Sequence, residues 1–181
     1  FFDSQLLAQN TQAGFDSFPL LAVPFFILAG ELMNAGGLSR RIIDLARTFV
    51  GHVEGGLGYV AIAASLMLAS MSGSAIADTA ALATLLLPMM RRQNYPDGSS
   101  AGLIGAGGII APIVPPSMPM VIYGVTTNTS ISKLFLAGIV PGILMAVALV
   151  FVWRGVAKSK ALPVAEKASW AERRRALVTS A

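Results

Sequence analysis

Oxygen-bearing side chains and a glycine meet at one short stretch of this chain, Ser72, Gly73, Ser74 and Asp78, within SMSGSAIADTA at 70–80. The uncharged run GGLGYVAIAASLMLA precedes it, and LATLLLPMM follows. Ser74 is placed to cap a helix that starts at Ala75, its hydroxyl accepting from the Ala77 N–H. Asp78 then falls in the first helical turn. A carboxylate there is favoured by the macrodipole without any ligand, but an ionisable group between apolar runs is equally a candidate ligand. The N–H groups of the same helix start, at Ser74 and Ala75, suit an anionic substrate. The Ser72 and Ser74 hydroxyls and the Gly73 carbonyl suit a hard cation such as sodium. Ser72 is expected just outside the capped helix, so that losing its hydroxyl weakens ion binding more than folding.

A second interruption lies downstream in GGIIAPIVPPSMP, residues 107–119. Pro112, Pro115, Pro116 and Pro119 lack backbone N–H groups, and each frees the carbonyl four residues earlier. Carbonyls from Gly108 to Pro116, those of Gly108, Pro112, Pro115 and Pro116 among them, are expected to join Ser72, Gly73 and Ser74 around one sodium ion. Ser117 adds a side-chain ligand for substrate. A merely kinked span explains one or two prolines, but PIVPPSMP less well. Irregular backbone at membrane depth survives only where protein buries it or where it lines a cavity. Two such segments in one apolar chain are the pattern of a midplane site in a secondary transporter.

Composition narrows the choice further. The chain has 181 residues, 55% hydrophobic and only 12% charged, with a mean hydropathy of +0.70. That is a membrane protein's balance. The net charge of +4 comes mostly from short clusters beside apolar runs, which read as topology signals and not as a nucleic-acid surface. There is no cysteine and one histidine, which excludes disulfides, thiolate sites and multi-histidine metal sites. No nucleophile and base pair is present for catalysis. The chain opens at Phe1 and stops at Ala181 within a charged helical pattern, so a fragment of a longer protein is expected.

These elements fit an all-α, polytopic membrane protein. Residues 1–17 lead in. FPLLAVPFFILAGELM at 18–33 makes most of a span, kinked by Pro24, with Glu31 at its interface end. After Gly36 and Gly37, Ser39 is expected to cap an amphipathic arm helix on the membrane surface. Leu38, Ile42, Leu45 and Phe49 would form its apolar stripe, with Asp44 spaced to pair with Arg40 and Arg47. Residues 55–92 make a re-entrant hairpin around the first interruption, its halves about 16 residues each and too short for a comfortable crossing. A glycine-rich helix follows YPDGSS, Gly102 and Ala106 offering a small-residue face. It breaks at the prolines and resumes at MPMVIYGV. Leu134 to Trp153 is a clean span of roughly 20 residues. The clusters at Arg40–Arg47, Arg91–Arg92 and Arg154–Lys160 should face the cytoplasm, with 126–130 outside.

VPFFILAGELMNAGG, SGSAIADTAALATLLLPMM, GGIIAPIVPPSMPMVIYG and LFLAGIVPG, in that order, resemble the N-terminal half of the large DctM-like membrane subunit of tripartite ATP-independent periplasmic (TRAP) transporters. The resemblance implies an elevator-type, sodium-coupled importer in the bacterial inner membrane. It implies two partners besides the lipid bilayer: a small membrane subunit and a periplasmic protein that delivers an organic acid. It also implies a division of the chain: scaffold span and arm at 1–54, transport-domain hairpin at 55–92 and broken helix at 100–128 (together 55–128), scaffold span at 129–160, and the start of a second arm at 161–181. The GVTTNTSISKLFLAGIVPG run suggests the sugar-acid branch. Two other readings are a self-sufficient sodium/dicarboxylate symporter and a non-transporting membrane scaffold subunit.

Overall fold

The computed structural model of the chain describes residues 4–15 and 18–164. Among them are eight α-helices and no strand: α1 (Ser4–Phe15), α2 (Phe18–Ala35), α3 (Leu38–Val50), α4 (Gly56–Ser72), α5 (Ala75–Arg92), α6 (Asp97–Gly108), α7 (Met118–Thr126) and α8 (Ile131–Ser159). The segment WAERRRALVTSA, expected to begin a second arm, lies outside the described residues.

Apolar α2 turns through 66° into α3 across Gly36 and Gly37. Gly37 makes that corner by adopting φ 77°, a left-handed conformation that costs glycine least. This corrects the expected cap. Gly37 occupies the N-cap position, while Ser39 lies inside α3, buried, and donates its hydroxyl to Asn34 Oδ1. The buried face is also rotated by one residue from the expected stripe: Ser39, Ile42, Ile43 and Ala46 are buried, Leu38 and Leu45 are half-buried, and Phe49 is exposed. Small Ser39 and Ala46 on that face let α3 pack closely on α4, its most extensive neighbour. Arg40, Arg41, Asp44 and Arg47 face outward. The anticipated pairing of Asp44 with Arg40 and Arg47 does not form; the ion pair found among the described residues joins Arg91 to Asp97 at 2.8 Å.

Helices α4 and α5 form the hairpin, 17 and 18 residues long with only Gly73 and Ser74 between them. At 1.5 Å per residue each arm is about 26 Å, short of the ~30 Å hydrocarbon core. Val60, Ala61, Ala64, Leu68 and Ala69 of α4 meet Leu82, Leu86 and Met90 of α5 in the buried core. The spacing of four along α5 keeps those large side chains on one face.

Helix α6 docks into this hairpin through Gly107 and Gly108 rather than Gly102. A Cβ at Gly107 would collide with Ser65 and one at Gly108 with Thr79, whereas at Gly102 it would meet nothing within 4 Å. One helix thus touches both arms.

At 29 residues, α8 is long and apolar enough to cross a membrane. It packs on α4, α6 and α7. Its Trp153 is buried to 1% exposure at the foot of the hairpin, where the indole N–H donates to the Gly55 carbonyl at 2.8 Å. Tyr95 stacks on it with ring centroids 6.2 Å apart and planes 6° from parallel. The Leu57 N–H donates to the Tyr95 hydroxyl at 3.4 Å. Burial raises the Tyr95 phenol above its ordinary range, the Leu57 bond opposing it, so the ring stays neutral at physiological pH. Gly58 completes the slot, since a Cβ there would overlap the indole.

Gly58→Ala should therefore destabilise the full-length protein by about 1–3 kcal/mol through overpacking. Gly102→Ala, in open space, should be neutral or gain up to about 1 kcal/mol from helix propensity. Thermal melting in detergent compares the two; equal melting temperatures would disprove the Trp153 slot.

Candidate functional site

The site is built where the hairpin turns. Gly73 ends α4 in the left-handed region at φ 60°, its N–H bonding to the Ala69 carbonyl at 3.3 Å. Ser74 is extended and caps α5, its hydroxyl accepting from the Ala77 N–H at 3.4 Å, as its sequence position requires. The first N–H groups of α5, at Ala75 and Ile76, point beyond the helix start. Ile76 beside them is 85% exposed.

Asp78 faces inward. Its side chain is 2% exposed; Oδ1 accepts from the Ser72 hydroxyl at 2.6 Å, while Oδ2 is buried with no hydrogen-bond partner among the described residues. The Ser72 oxygen also accepts from the Ser74 N–H at 3.1 Å. Ser72 lies outside the capped helix α5, as expected, but it is the last residue of α4 and its hydroxyl ties the turn together, so its loss disturbs the fold more than its position alone suggests. With its proton committed to a carboxylate, Ser72 presents only lone pairs in other directions. Asp78 lies under the turn, one oxygen holding Ser72 and the other lining the small space beside it.

The second interruption occupies residues 109–117 between α6 and α7. Ser117, 1% exposed, caps α7 by accepting from the Met120 N–H at 3.3 Å and donates to the Pro112 carbonyl at 2.6 Å. Its hydroxyl closes the loop, so its expected role as a substrate ligand would fall to one remaining lone pair. The Gly108 carbonyl likewise accepts from the Ala111 N–H at 3.2 Å. The carbonyls of Pro115 and Pro116 accept no hydrogen bond from the described residues.

The two interruptions touch at Gly73, where an added Cβ would collide with the Pro116 carbonyl oxygen. Ser72, Gly73, Ser74 and Pro116 are thereby brought together. Gly108 lies a turn away, against Ala75 and Thr79, and the Pro112 carbonyl is turned to Ser117. Helix α2 supplies a wall that the sequence reading passed over. The Gly30 backbone abuts Ser72, and Glu31 and Asn34 line a cavity of about 40 Å³ with Ser72, Ser74, Ala77 and Met118. A smaller space of about 10 Å³ separates Asn34 and Ser39 from Asp78. The spacing of Gly30 and Asn34, one helical turn apart on an apolar helix, was the available signal.

A short helical hairpin seated on a proline-broken helix, beside a helix long and apolar enough to cross a bilayer, is an all-helical arrangement consistent with a membrane protein. Residues 2–181 match the family described as tripartite ATP-independent periplasmic transporter, DctM component, and the chain belongs to that family. It is 58% identical over 171 residues to the 2,3-diketo-L-gulonate TRAP transporter large permease protein YiaN of Escherichia coli, covering 94% of this chain and 40% of that protein. It is 48% identical to the sialic acid large permease SiaM of Vibrio cholerae, over 94% of this chain and 40% of that one. With the C4-dicarboxylate large permease DctM of Pseudomonas aeruginosa the identity is 42%, over 87% and 37%. The chain spans about 40% of the length of these relatives, which are permeases and not enzymes.

Removing the Ser72 hydroxyl leaves both Asp78 oxygens without a partner in a buried place. Ser72→Ala should cost about 1–3 kcal/mol in the full-length protein. Ser70→Ala, which deletes only an exposed bond to the Met67 carbonyl, should stay within about 0.5 kcal/mol. Thermal melting distinguishes them, and a silent Ser72→Ala would contradict the Ser72–Asp78 bond.

Proposed function

We propose that the chain forms part of the large membrane subunit of a sodium-coupled TRAP importer in the bacterial inner membrane. The carrying observation is the seat of Gly73 on the Pro116 carbonyl, which gathers the Ser72 and Ser74 oxygens with a carbonyl that accepts no hydrogen bond from the described residues. Sodium takes such oxygen ligands, and no histidine or cysteine is among the residues that line the cavity beside them. The donors with unengaged carbonyls, Pro115 and Pro116, carry more of the load than Gly108 and Pro112. The exposed start of α5, just after the Ser74 cap, is proposed to receive the substrate's carboxylate on the N–H groups of Ala75 and Ile76. The substrate is an organic acid, and the 58% identity to a diketogulonate permease favours a sugar acid.

In this proposal α4 and α5 form a re-entrant hairpin entering from the cytoplasm. Residues 55–128 belong to a transport domain that moves as an elevator, and 1–54 belong to the scaffold. Residues 129–160 belong to the scaffold in the same proposal, meeting the hairpin foot through Trp153. A periplasmic binding protein and a small membrane subunit complete the transporter.

Uptake by the full-length protein, reconstituted with both partners and offered diketogulonate, a C4-dicarboxylate or sialic acid, should require an inward sodium gradient. Uptake that is unchanged when potassium replaces sodium would refute the coupling. Ser72→Ala should raise the sodium concentration for half-maximal uptake on the order of tenfold, as expected for one lost charge-assisted contact, while Ser72→Thr should restore it.

Orientation has a separate test, in a full-length protein from which any cysteine outside these 181 residues has been removed. With single cysteines in the full-length protein, an impermeant thiol reagent added from the periplasm should label position 128 and spare position 91, following the basic clusters. The reverse pattern would invert the hairpin's entry side.

A further inference from the structure

A groove of about 820 Å³ runs between the α3–α4 corner and the C-terminal half of α8, on the side of α4 away from the hairpin turn. Its walls are apolar: Phe49, Ile62, Leu66, Val147, Val150 and Phe151. One end differs. Arg154 and Lys158, one turn apart on α8, line it together with Glu54 and Tyr59 of the α3–α4 corner and α4. Neither cation is in an ion pair among the described residues.

We propose that this groove binds one membrane glycerophospholipid, an acyl chain lying along the apolar walls and the phosphodiester held by Arg154 and Lys158. Charge complementarity selects this occupant. Glu54 offsets one of the two positive charges at the rim, and a phosphodiester neutralises the other. An apolar wall continuous along a membrane-crossing helix, ending in cations at one interface, matches an amphiphile whose charge sits at headgroup level. A segment of polypeptide would fill the apolar length but would need its own acid at that rim. The inference rests on α8 being a span and is independent of ion coupling, so either can fail alone.

The test uses the full-length transporter in vesicles of phosphatidylethanolamine and phosphatidylglycerol, doped with a phosphatidylglycerol that carries a photoactivatable acyl chain. Adducts are mapped by mass spectrometry. Val147, Val150 and Phe151 should be labelled, and the R154Q/K158Q double variant should reduce that labelling on the order of tenfold, as two lost lysine or arginine contacts at a membrane surface predict. Labelling at Leu136, remote from the groove, should persist and reports correct insertion. A63F, which fills the groove with both charges intact, should produce the same loss. Absence of groove adducts while Leu136 is labelled would mean that polypeptide covers the groove, and the proposal falls. Equal adducts in the wild type and R154Q/K158Q would overturn it as well.

Discussion

Peptide groups removed from both water and a helix must find partners, and this protein breaks two apolar helical runs next to each other. Each break is closed by a serine that acts in two directions. Ser72 donates to Asp78 and accepts from the Ser74 N–H; Ser117 donates to the Pro112 carbonyl and accepts from the Met120 N–H. A hydroxyl suits this because it both donates and accepts. The rest of the molecule holds these two turns against one another. Gly73 is the point of contact, needed both for its left-handed backbone and for its missing side chain.

Support for that contact comes from both ends of the hairpin. Near the tip, α2 presses Gly30 against Ser72 and places Asn34 and Glu31 beside it. At the foot, Trp153 occupies a slot formed by Gly55, Gly58 and Tyr95. The indole replaces the interhelical side chains that glycines cannot provide, and its N–H satisfies the Gly55 carbonyl at the start of α4. An aromatic anchor of this size fixes the rotation of α8 about its axis as well as its depth.

Local signals in the sequence carried the hairpin, the proline break and the cap at Ser74, because capping and proline chemistry act over three or four residues; the cap that Ser117 provides for α7 was not read. The same local rule misplaced Ser39. Gly37 took the cap position because the 66° corner requires a left-handed residue, which overrides the hydroxyl's preference. The face of α3 was legible as amphipathic but not in its rotation, which is decided by the fit of Ser39 and Ala46 against α4. The candidate oxygen set was legible in part. Ser72, Gly73 and Ser74 do converge with Pro116, yet the inward turn of Asp78 and the closure of Pro112 by Ser117 depend on three-dimensional neighbours. Trp153 and Gly55 are 98 residues apart, and no periodicity links positions so distant.

The seating of α6 has a mechanical consequence. Gly107 rests on Ser65 of one hairpin arm and Gly108 on Thr79 of the other, so the helix acts as a keystone between them. Prising α4 from α5 like the blades of tweezers would pull both seats apart at once and empty a buried three-helix junction. The three helices and the Gly73–Pro116 contact are thereby locked into one packed unit.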